Sequence, residues 1–176
     1  MPGRTPHDAF SAFMEPLESA ASVLGKAKIT VSAGGRTVAG TDHSWTLNGG
    51  RGYTSRGWHF EAAMMYRIVE DDERGPWRVR TLGYRYRLAV PPGQDVFRMH
   101  WHPGGRSDVE YPHVHLALAP VDAVGDTLKQ HMQVPRQTFE NAIRWAVNTG
   151  MEPARQDWEE LLAQAERDHL KYRSWH

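Results

Sequence analysis

The sequence predicts an α+β fold in which an antiparallel β-sheet of four or more strands is covered on one face by helices. Four segments alternate apolar and polar residues with the period of a strand, and the links between them are short enough for antiparallel pairing. These segments are residues 58–69, 77–90, 96–102 and 113–119. One N-terminal and two C-terminal segments place apolar residues at helical spacing instead, and their apolar stripes need a sheet face to bury. We expect a single domain over residues 1–176.

The first helix is predicted near the start of the chain. Thr5 can act as its N-cap, and Pro6 suits the first helical position. Pro16 is expected to kink or divide the helix, and Gly25 is expected to end it. The apolar stripe consists of Phe10, Phe13, Met14 and Leu17.

Short strands and a glycine-rich loop are predicted next. Gly34 and Gly35 supply the positive φ angles of a tight turn between the first two strands. Residues 48–57 are rich in glycine and carry two arginines, which indicates a flexible loop able to close over a site. The predicted short strands are residues 29–31, 37–39 and 44–47.

Alternation assigns the residues of the long strands to two faces, because successive side chains of a strand point in opposite directions. The polar face of the second long strand is expected to carry Thr81, Gly83, Arg85 and Arg87. The face against the helices is expected to hold Trp58, Phe60, Ala62, Met64, Tyr66 and Ile68, then Leu82, Tyr84, Tyr86, Leu88 and Val90, then Phe97, Met99 and Trp101, and finally Val114, Leu116 and Leu118.

The C-terminal third is predicted to be helical. Residues 121–134 are interpreted as a connection with one helical turn. Pro135 is expected to open a helix that runs through Thr149 and stops at Gly150, and Pro153 is expected to open the last helix.

Composition excludes several classes of protein. The 21 Lys+Arg balance the 21 Asp+Glu, so the total charge does not indicate a strongly basic nucleic-acid binder. No apolar run approaches the ~20 residues of a membrane span, and the first residues lack the pattern of a signal peptide. The chain has no cysteine, which excludes disulfides and thiolate ligands and is consistent with a cytoplasmic location.

Histidines mark the predicted site. His100 and His102 form one His-x-His pair, His113 and His115 form a second, and each pair points to the polar face. If residues 103–112 close a hairpin, His102 lies opposite His113 and His100 lies opposite His115, with Cβ atoms ~5 Å apart. Four imidazoles would then share one patch.

Arginines surround this patch. Between positions 78 and 106 there are six arginines, no lysine and one acid. Close packing of arginine and histidine costs electrostatic energy unless an anion or a metal relieves it, which indicates a functional site. Gly83 is expected to leave open space for a substrate, and the first long strand adds His59, Glu61 and Arg67 to the same face. The expected strand pairs are Arg87–Arg98, Arg85–His100, Gly83–His102 and Val90–Asp95.

The first functional hypothesis is a hydrolase or transferase that acts on a phosphate-containing substrate, either RNA or a nucleotide. Imidazoles titrate near neutral pH and can serve as general acid and base. The candidate catalytic residues are His100, His102, His113 and His115. The candidate substrate-binding residues are Arg85, Arg87, Arg98, His59, Glu61 and Tyr111.

Two further hypotheses remain open. His100, His102, His113 and His115 could instead ligate a divalent transition metal such as zinc, and Glu61 or Glu110 could add a carboxylate for iron, nickel or manganese. Nearby arginines count against a tightly held cation. The third hypothesis is a binding or regulatory module without catalysis, although the aromatic residues of the strands fall on the buried face rather than on an RNA-stacking face.

Two motifs resemble those of known families. The segment HVHLALA at residues 113–119 resembles the His-triad motif of nucleotide hydrolases and transferases, with Ala117 in place of the third histidine. Residues 84–119 combine a Tyr/Arg-rich strand, the step Phe97-Arg98, clustered histidines and the step Pro112-His113. In that order they resemble small bacterial toxins of the TumE type, from toxin–antitoxin pairs. The resemblance implies an RNA substrate and a cognate antitoxin as a protein partner.

Overall fold

The computed structural model describes residues 2–71, 76–91, 93–104, 109–116 and 131–172. It confirms the predicted α+β architecture, an antiparallel sheet with one N-terminal and two C-terminal helices. The helices are α1 (Pro6–Ala21), α2 (Phe139–Thr149) and α3 (Trp158–Tyr172). The strands are β1 (Ile29–Val31), β2 (Asp42–Leu47), β3 (Tyr53–Ser55), β4 (Trp58–Glu70), β5 (Trp77–Val90), β6 (Gln94–Trp101), β7 (His113–Leu116) and β8 (Met132–Gln133).

The described strands form one sheet in the order β1-β2-β4-β5-β6-β7-β8, and every neighbouring pair is antiparallel. Strand β3 pairs with the first residues of β4. The two long central strands, β4 and β5, therefore carry most of the pairing, and β6, β7 and β8 extend the sheet on the side where the histidines lie.

The helices cover one face of the sheet, as predicted. Helix α1 packs on β4, β5 and α3, and α2 packs on β5 and α3. Phe139 at the start of α2 is fully buried, and its ring centroid lies 5.2 Å from that of Trp45, 6.4 Å from that of Phe60 and 6.1 Å from that of Tyr86. The core residues of β4 to β7 are Phe60, Ala62, Met64, Tyr66, Ile68, Tyr84, Tyr86, Leu88, Phe97, Met99, Trp101 and Val114.

Helix α1 begins as the sequence indicates. Thr5 accepts a hydrogen bond from the backbone N–H of Asp8, and the Asp8 carboxylate accepts one from the Thr5 N–H, which completes a capping box. Pro16 lies inside helix α1 but does not divide it, since the helix runs without a break from Pro6 to Ala21. The Pro16 side chain is buried together with the apolar residues of the helix. Gly25 follows the helix and a short 3-10 turn with a φ of 70°.

A β-bulge overturns part of the face assignment in β5. Met65 of β4 pairs with Gly83, and the next residue, Tyr66, pairs with Thr81. Leu82 is therefore the extra residue of the bulge, and the alternation changes phase at this point. Thr81 turns into the core, where its hydroxyl donates to the Met64 sulfur at 3.7 Å, and Leu82 turns to the polar face.

Two predictions for residues 29–57 are wrong. Residues 37–39 do not form a strand, because the N–H groups of Thr37 and Val38 both donate to the Gly34 carbonyl and close a turn. The predicted flexible loop is only partly a loop. It holds a 3-10 turn at Asn48–Gly50 and strand β3, which pairs with β4 and makes this segment an arm of the sheet.

Both C-terminal helices start later than the prolines predict. The Thr138 hydroxyl accepts a hydrogen bond from the Asn141 N–H at 2.9 Å, which sets the start of α2 at Phe139 rather than Pro135. Gln137 is held before it by donating its N–H to the Tyr84 hydroxyl at 2.7 Å. Helix α3 starts at Trp158 rather than Pro153, because Ala154 donates its N–H to the Val23 carbonyl and stays outside the helix.

Within the ranges that the structure describes, no helix is both long enough and apolar enough to cross a membrane. Most of the predicted connection at residues 121–134 and the end of the fourth predicted strand lie outside those ranges.

The two faces of the sheet should respond differently to truncation. Leu88→Ala removes a fully buried side chain and should lower the free energy of unfolding by ~2–5 kcal/mol. Met65→Ala removes an apolar side chain that is 51% exposed on the other face and should change it by less than ~0.5 kcal/mol. Urea unfolding measures both, and equal losses would contradict the face assignment.

Candidate metal centre

Strands β6 and β7 bring the four predicted histidines to one patch, but in a different register. His100 pairs with His113, and Arg98 pairs with His115, so the predicted hairpin register is wrong by two residues. The face is nevertheless right, because a shift of two residues preserves the direction of each side chain. Neighbouring ring centroids within this set lie 5.1–5.9 Å apart.

A fifth imidazole, which the sequence did not indicate, joins this patch. His131 precedes the two-residue strand β8, and its ring centroid lies 4.7 Å from that of His113 and 4.7 Å from that of His115. A single histidine next to so short a strand has no alternation around it, and only the pairing of β8 with β7 reveals its position. We call these five residues the histidine cluster.

His113 has one nitrogen free to bind a ligand. Its side chain is almost completely buried, and its Nδ1 lies 2.9 Å from the Tyr111 carbonyl oxygen. A carbonyl oxygen only accepts, so Nδ1 carries the proton and donates it, which leaves the lone pair on Nε2. This Nε2 is buried without a hydrogen-bond partner among the described residues. Histidines that bind metals are commonly oriented in this way by a carbonyl.

His100 presents a second buried nitrogen. Its Nε2 also has no hydrogen-bond partner in the described part of the chain. Burial, followed by the neighbouring imidazoles of His115 and His113 and the charge of Arg98, lowers the pKa of His100 to about 3. Burial likewise lowers the pKa of His113, against the opposing effect of the Tyr111 carbonyl. Both imidazoles are therefore neutral near pH 7, and neutral imidazole is the form that binds metals.

The cluster contains two overlapping sets of three candidate ligands. One set is His100, His102 and His113, the other is His113, His115 and His131, and in each set the ligand nitrogens lie within 4.8 Å of one another. His113 belongs to both sets but has only Nε2 to offer. One ion can use His113 at a time, so the two sets are alternatives.

Among the described residues, these two sets contain histidine only. The carboxylate predicted as a further ligand, that of Glu61, is instead held by Arg87 at 2.8 Å and by the His59 ring at 3.2 Å. Glu110 is exposed and belongs to neither set. A three-histidine site is therefore the arrangement that the described residues offer.

A cleft of about 590 Å³ opens beside the first set of ligands. His100, His102 and Arg85 line one part of it, and Met65 and Leu82 line another. The sheet face with the histidines is thus also the face with room for a small molecule, because no described helix covers it.

Gly83 lies in this cleft for a different reason from the one predicted. A Cβ atom at this position would lie 2.7 Å from the Trp101 carbonyl oxygen, so glycine is needed because the backbones of β5 and β6 approach closely here. Gly83 does border open space beside the histidines, as predicted, but the position of its missing Cβ is blocked by the Trp101 backbone.

The predicted arginine positions are confirmed, but most of these side chains are already paired. Arg85 lies opposite His100 and Arg87 lies opposite Arg98, as expected. Arg87 donates to Asp95 at 2.5 Å and to Glu61 at 2.8 Å, and Arg98 also forms an ion pair with Asp95. We call these three arginines and two acids the ion-pair network.

A second bulge explains why Asp95 reaches the polar face. Leu88 pairs with Phe97 but Ala89 pairs with Asp95, so Val96 is an extra residue and the predicted pairing of Val90 with Asp95 is wrong. Strict alternation would have put Asp95 on the same face as Phe97. The change of phase moves it beside the arginines instead.

Arg85 is the least restrained arginine of the network. Its side chain is 61% exposed, and its ion pair with Glu61 has a nitrogen–oxygen distance of 3.9 Å. His59 lies at the other end of the polar face, where its ring bonds to Thr54 and Glu61 rather than joining the histidine cluster. Tyr111, predicted to bind substrate, contributes its carbonyl oxygen to His113, and its side chain is exposed.

No family model, curated protein or solved structure significantly matches the chain. The resemblances to the His-triad motif and to toxins of the TumE type therefore stay predictions.

The buried histidines should make the metal-free protein sensitive to acid. An unfolded histidine protonates near 6.5, whereas folding holds the pKa of His100 at about 3, so the folded state binds fewer protons between these values. The contribution of His100 to stability is thus complete above about pH 6.5 and is lost as the pH falls toward 3. His100→Gln should reduce this loss, as measured by urea unfolding of chelator-treated protein from pH 7.5 to pH 5.

His7→Gln, at an exposed position of α1, is the matched control and should keep the wild-type dependence on pH. Identical profiles for wild type and His100→Gln would show that His100 is not held neutral by the fold.

Proposed function

We propose that this protein is a metal-dependent enzyme in which His100, His102 and His113 hold a divalent transition metal, with zinc as the first candidate, beside the cleft. One observation carries the proposal. The Nε2 atoms of His100 and His113 are buried without a hydrogen-bond partner among the described residues, and both residues belong to one set of candidate ligands with His102.

The energetic cost of these nitrogens supports the proposal. A buried polar nitrogen without a hydrogen bond costs ~1–3 kcal/mol, and two such nitrogens lie in the same cluster. A coordinated ion would use both lone pairs and remove that cost. The hydrogen bond from His113 to the Tyr111 carbonyl supports the same role, since it fixes the ring with Nε2 available.

The cleft favours this set of ligands over the alternative set. His100 and His102 both line the cleft, whereas His131, in the other set, is exposed beside the short strand β8. An ion held by the first set would therefore lie next to the space that a substrate can occupy.

The number of ligands supports hydrolysis as the class of reaction. Three histidines leave one position of a tetrahedral zinc site open, which is the pattern of catalytic rather than structural zinc. A metal in such a site lowers the pKa of bound water and supplies a nucleophile near neutral pH. We therefore propose hydrolysis of a small molecule bound in the cleft.

The structure gives less support to metal-free chemistry on RNA or nucleotides. An imidazole with a pKa of about 3 is a weak base and carries no proton to donate near pH 7. Arg87 and Arg98, expected to bind phosphate, are engaged by Asp95. An RNA substrate, a cognate antitoxin and a cytoplasmic location stay predictions.

Metal analysis of the purified protein tests the proposed centre. We expect about one transition-metal ion per chain, since the two sets of ligands share His113 and exclude each other. His100→Ala and His113→Ala should each lower the bound metal by ~10-fold or more at equal free zinc, because each removes a ligand.

Two matched substitutions sharpen this test. His131→Ala removes a histidine only from the alternative set and should leave the metal content unchanged, as should His7→Ala at its distant exposed position. Loss of metal in His131→Ala but not in His102→Ala would place the ion in the alternative set. Absence of binding to wild-type protein at micromolar zinc would exclude a metal centre.

A model ester tests the class of reaction. The zinc-loaded protein should hydrolyse 4-nitrophenyl acetate faster than the same protein after chelation, by ~10-fold or more, and added zinc should restore the rate. Absorbance of the released 4-nitrophenolate measures it. Equal rates with and without metal would contradict metal-dependent hydrolysis.

A further inference from the structure

We infer that the cleft binds a small monocarboxylic acid with an apolar body, and that Arg85 holds its carboxylate. The inference deepens the proposed function by naming the class of substrate. It rests on that function for the reaction, but the binding itself requires only the cleft and Arg85.

Strand pairing puts the relevant groups in one row. Ala63 of β4 pairs with Arg85 of β5, Arg85 pairs with His100 of β6, and His100 pairs with His113 of β7. Neighbouring strands are ~4.8 Å apart, so Arg85 lies one strand from the histidine cluster on one side and one strand from Ala63 on the other. A ligand held by Arg85 would therefore contact the histidine cluster on one side and the part of the cleft at Ala63 on the other.

Beside Arg85 the cleft has an apolar region, which Ser44 and the Arg67–Asp42 ion pair border. Ala63, Met65 and Leu82 line the cleft there, and Met65 is 51% exposed although it is a large apolar side chain. The bulge at Leu82 is what turns this residue out of the core and into the cleft. Apolar side chains grouped on an otherwise polar face indicate a contact surface for an apolar group.

The charges of the network favour a single negative charge on the ligand. The three arginines of the ion-pair network face two carboxylates, those of Glu61 and Asp95, and therefore leave one positive charge in excess. The other cation of the cleft, Arg67, is paired with Asp42 at 2.5 Å. One positive charge in excess matches a monocarboxylate better than a phosphate dianion, and a carboxylate can accept both bonds of one guanidinium fork.

Arg85 is the residue that can supply this charge. It is largely exposed in the cleft wall, and its distance of 3.9 Å from Glu61 leaves its donors available for a closer partner. The volume of about 590 Å³ lies within the range of ~300–1,000 Å³ that is usual for small-molecule sites, so a bicyclic aromatic acid fits.

Isothermal titration calorimetry on the full chain, as purified and after chelation, tests this assignment. The probe is 2-naphthoate, compared with 2-naphthamide, 2-naphthyl phosphate and acetate. We expect the chelated protein to bind 2-naphthoate most tightly, because the amide lacks the charge, the phosphate carries too much of it and acetate lacks the apolar body.

Variants identify the residues responsible. Arg85→Gln should weaken 2-naphthoate binding by ~10-fold or more, and Arg85→Lys, which keeps the charge but not the fork, should weaken it less. Arg155→Gln is the matched control, since it removes the same charge at an exposed position beside Asp157, outside the cleft, and should have no effect.

The apolar contact has its own pair of variants. Met65→Gln should weaken binding of 2-naphthoate, whereas Leu170→Gln, at a similarly exposed apolar position on α3, should not. Unfolding curves confirm that each variant is folded. In the chelated protein, tighter binding of 2-naphthyl phosphate than of 2-naphthoate, or unchanged binding by both Arg85 variants, would overturn the inference.

The outcome is independent of the metal centre. Binding of 2-naphthoate by a protein that takes up no metal would leave the carboxylate site standing and exclude the proposed metal-dependent function. Stoichiometric metal in a protein that does not bind 2-naphthoate would leave the proposed metal centre standing and would exclude the carboxylate site.

Discussion

The packing of α1 and α2 against one face of the sheet, with α3 packed on both helices, is the constraint on which the candidate site depends. Phe139 of α2 contacts aromatic rings of three strands, and α1 closes the same face farther along. Because the apolar side chains of the strands fill the core on that face, the alternation of side chains along each strand places the residues between them on the other face. The histidines, the arginines and the cleft share the uncovered face for this reason.

Charge on that face is divided between two neighbouring regions. Asp95, itself nearly buried, pairs with both Arg87 and Arg98, and Glu61 takes a further donor of Arg87. These pairs offset most of the positive charge that would otherwise oppose a cation in the histidine cluster. Burial keeps the imidazoles of His100 and His113 neutral, and the lone pair of His113 is directed away from Tyr111. An array of arginine and histidine thus becomes compatible with a bound metal.

Two bulges refine the surface that simple alternation would produce. The extra residue Leu82 adds an apolar side chain to the floor of the cleft, and the extra residue Val96 brings Asp95 to the arginines. Each bulge changes the phase of one strand by one residue. A strand without them would bury Asp95 with Phe97 and would leave the arginines without that carboxylate, so irregularity in the sheet shapes both regions.

The sequence by itself determined the α+β class, the apolar face of each long strand except at the bulges, and the gathering of four histidines on the polar face. These properties follow from the spacing of apolar and polar residues within each helix or strand, which can be read from the local sequence. Tertiary structure alone decided the register of the histidine hairpin, the two bulges and the position of His131 next to His113. It also decided which donors are already occupied, as for Arg87, and which acceptors are not, as for His113 Nε2. Such properties depend on contacts between residues distant in the chain. The alternation of apolar and polar residues along one strand carries no information about which residues of a neighbouring strand lie opposite.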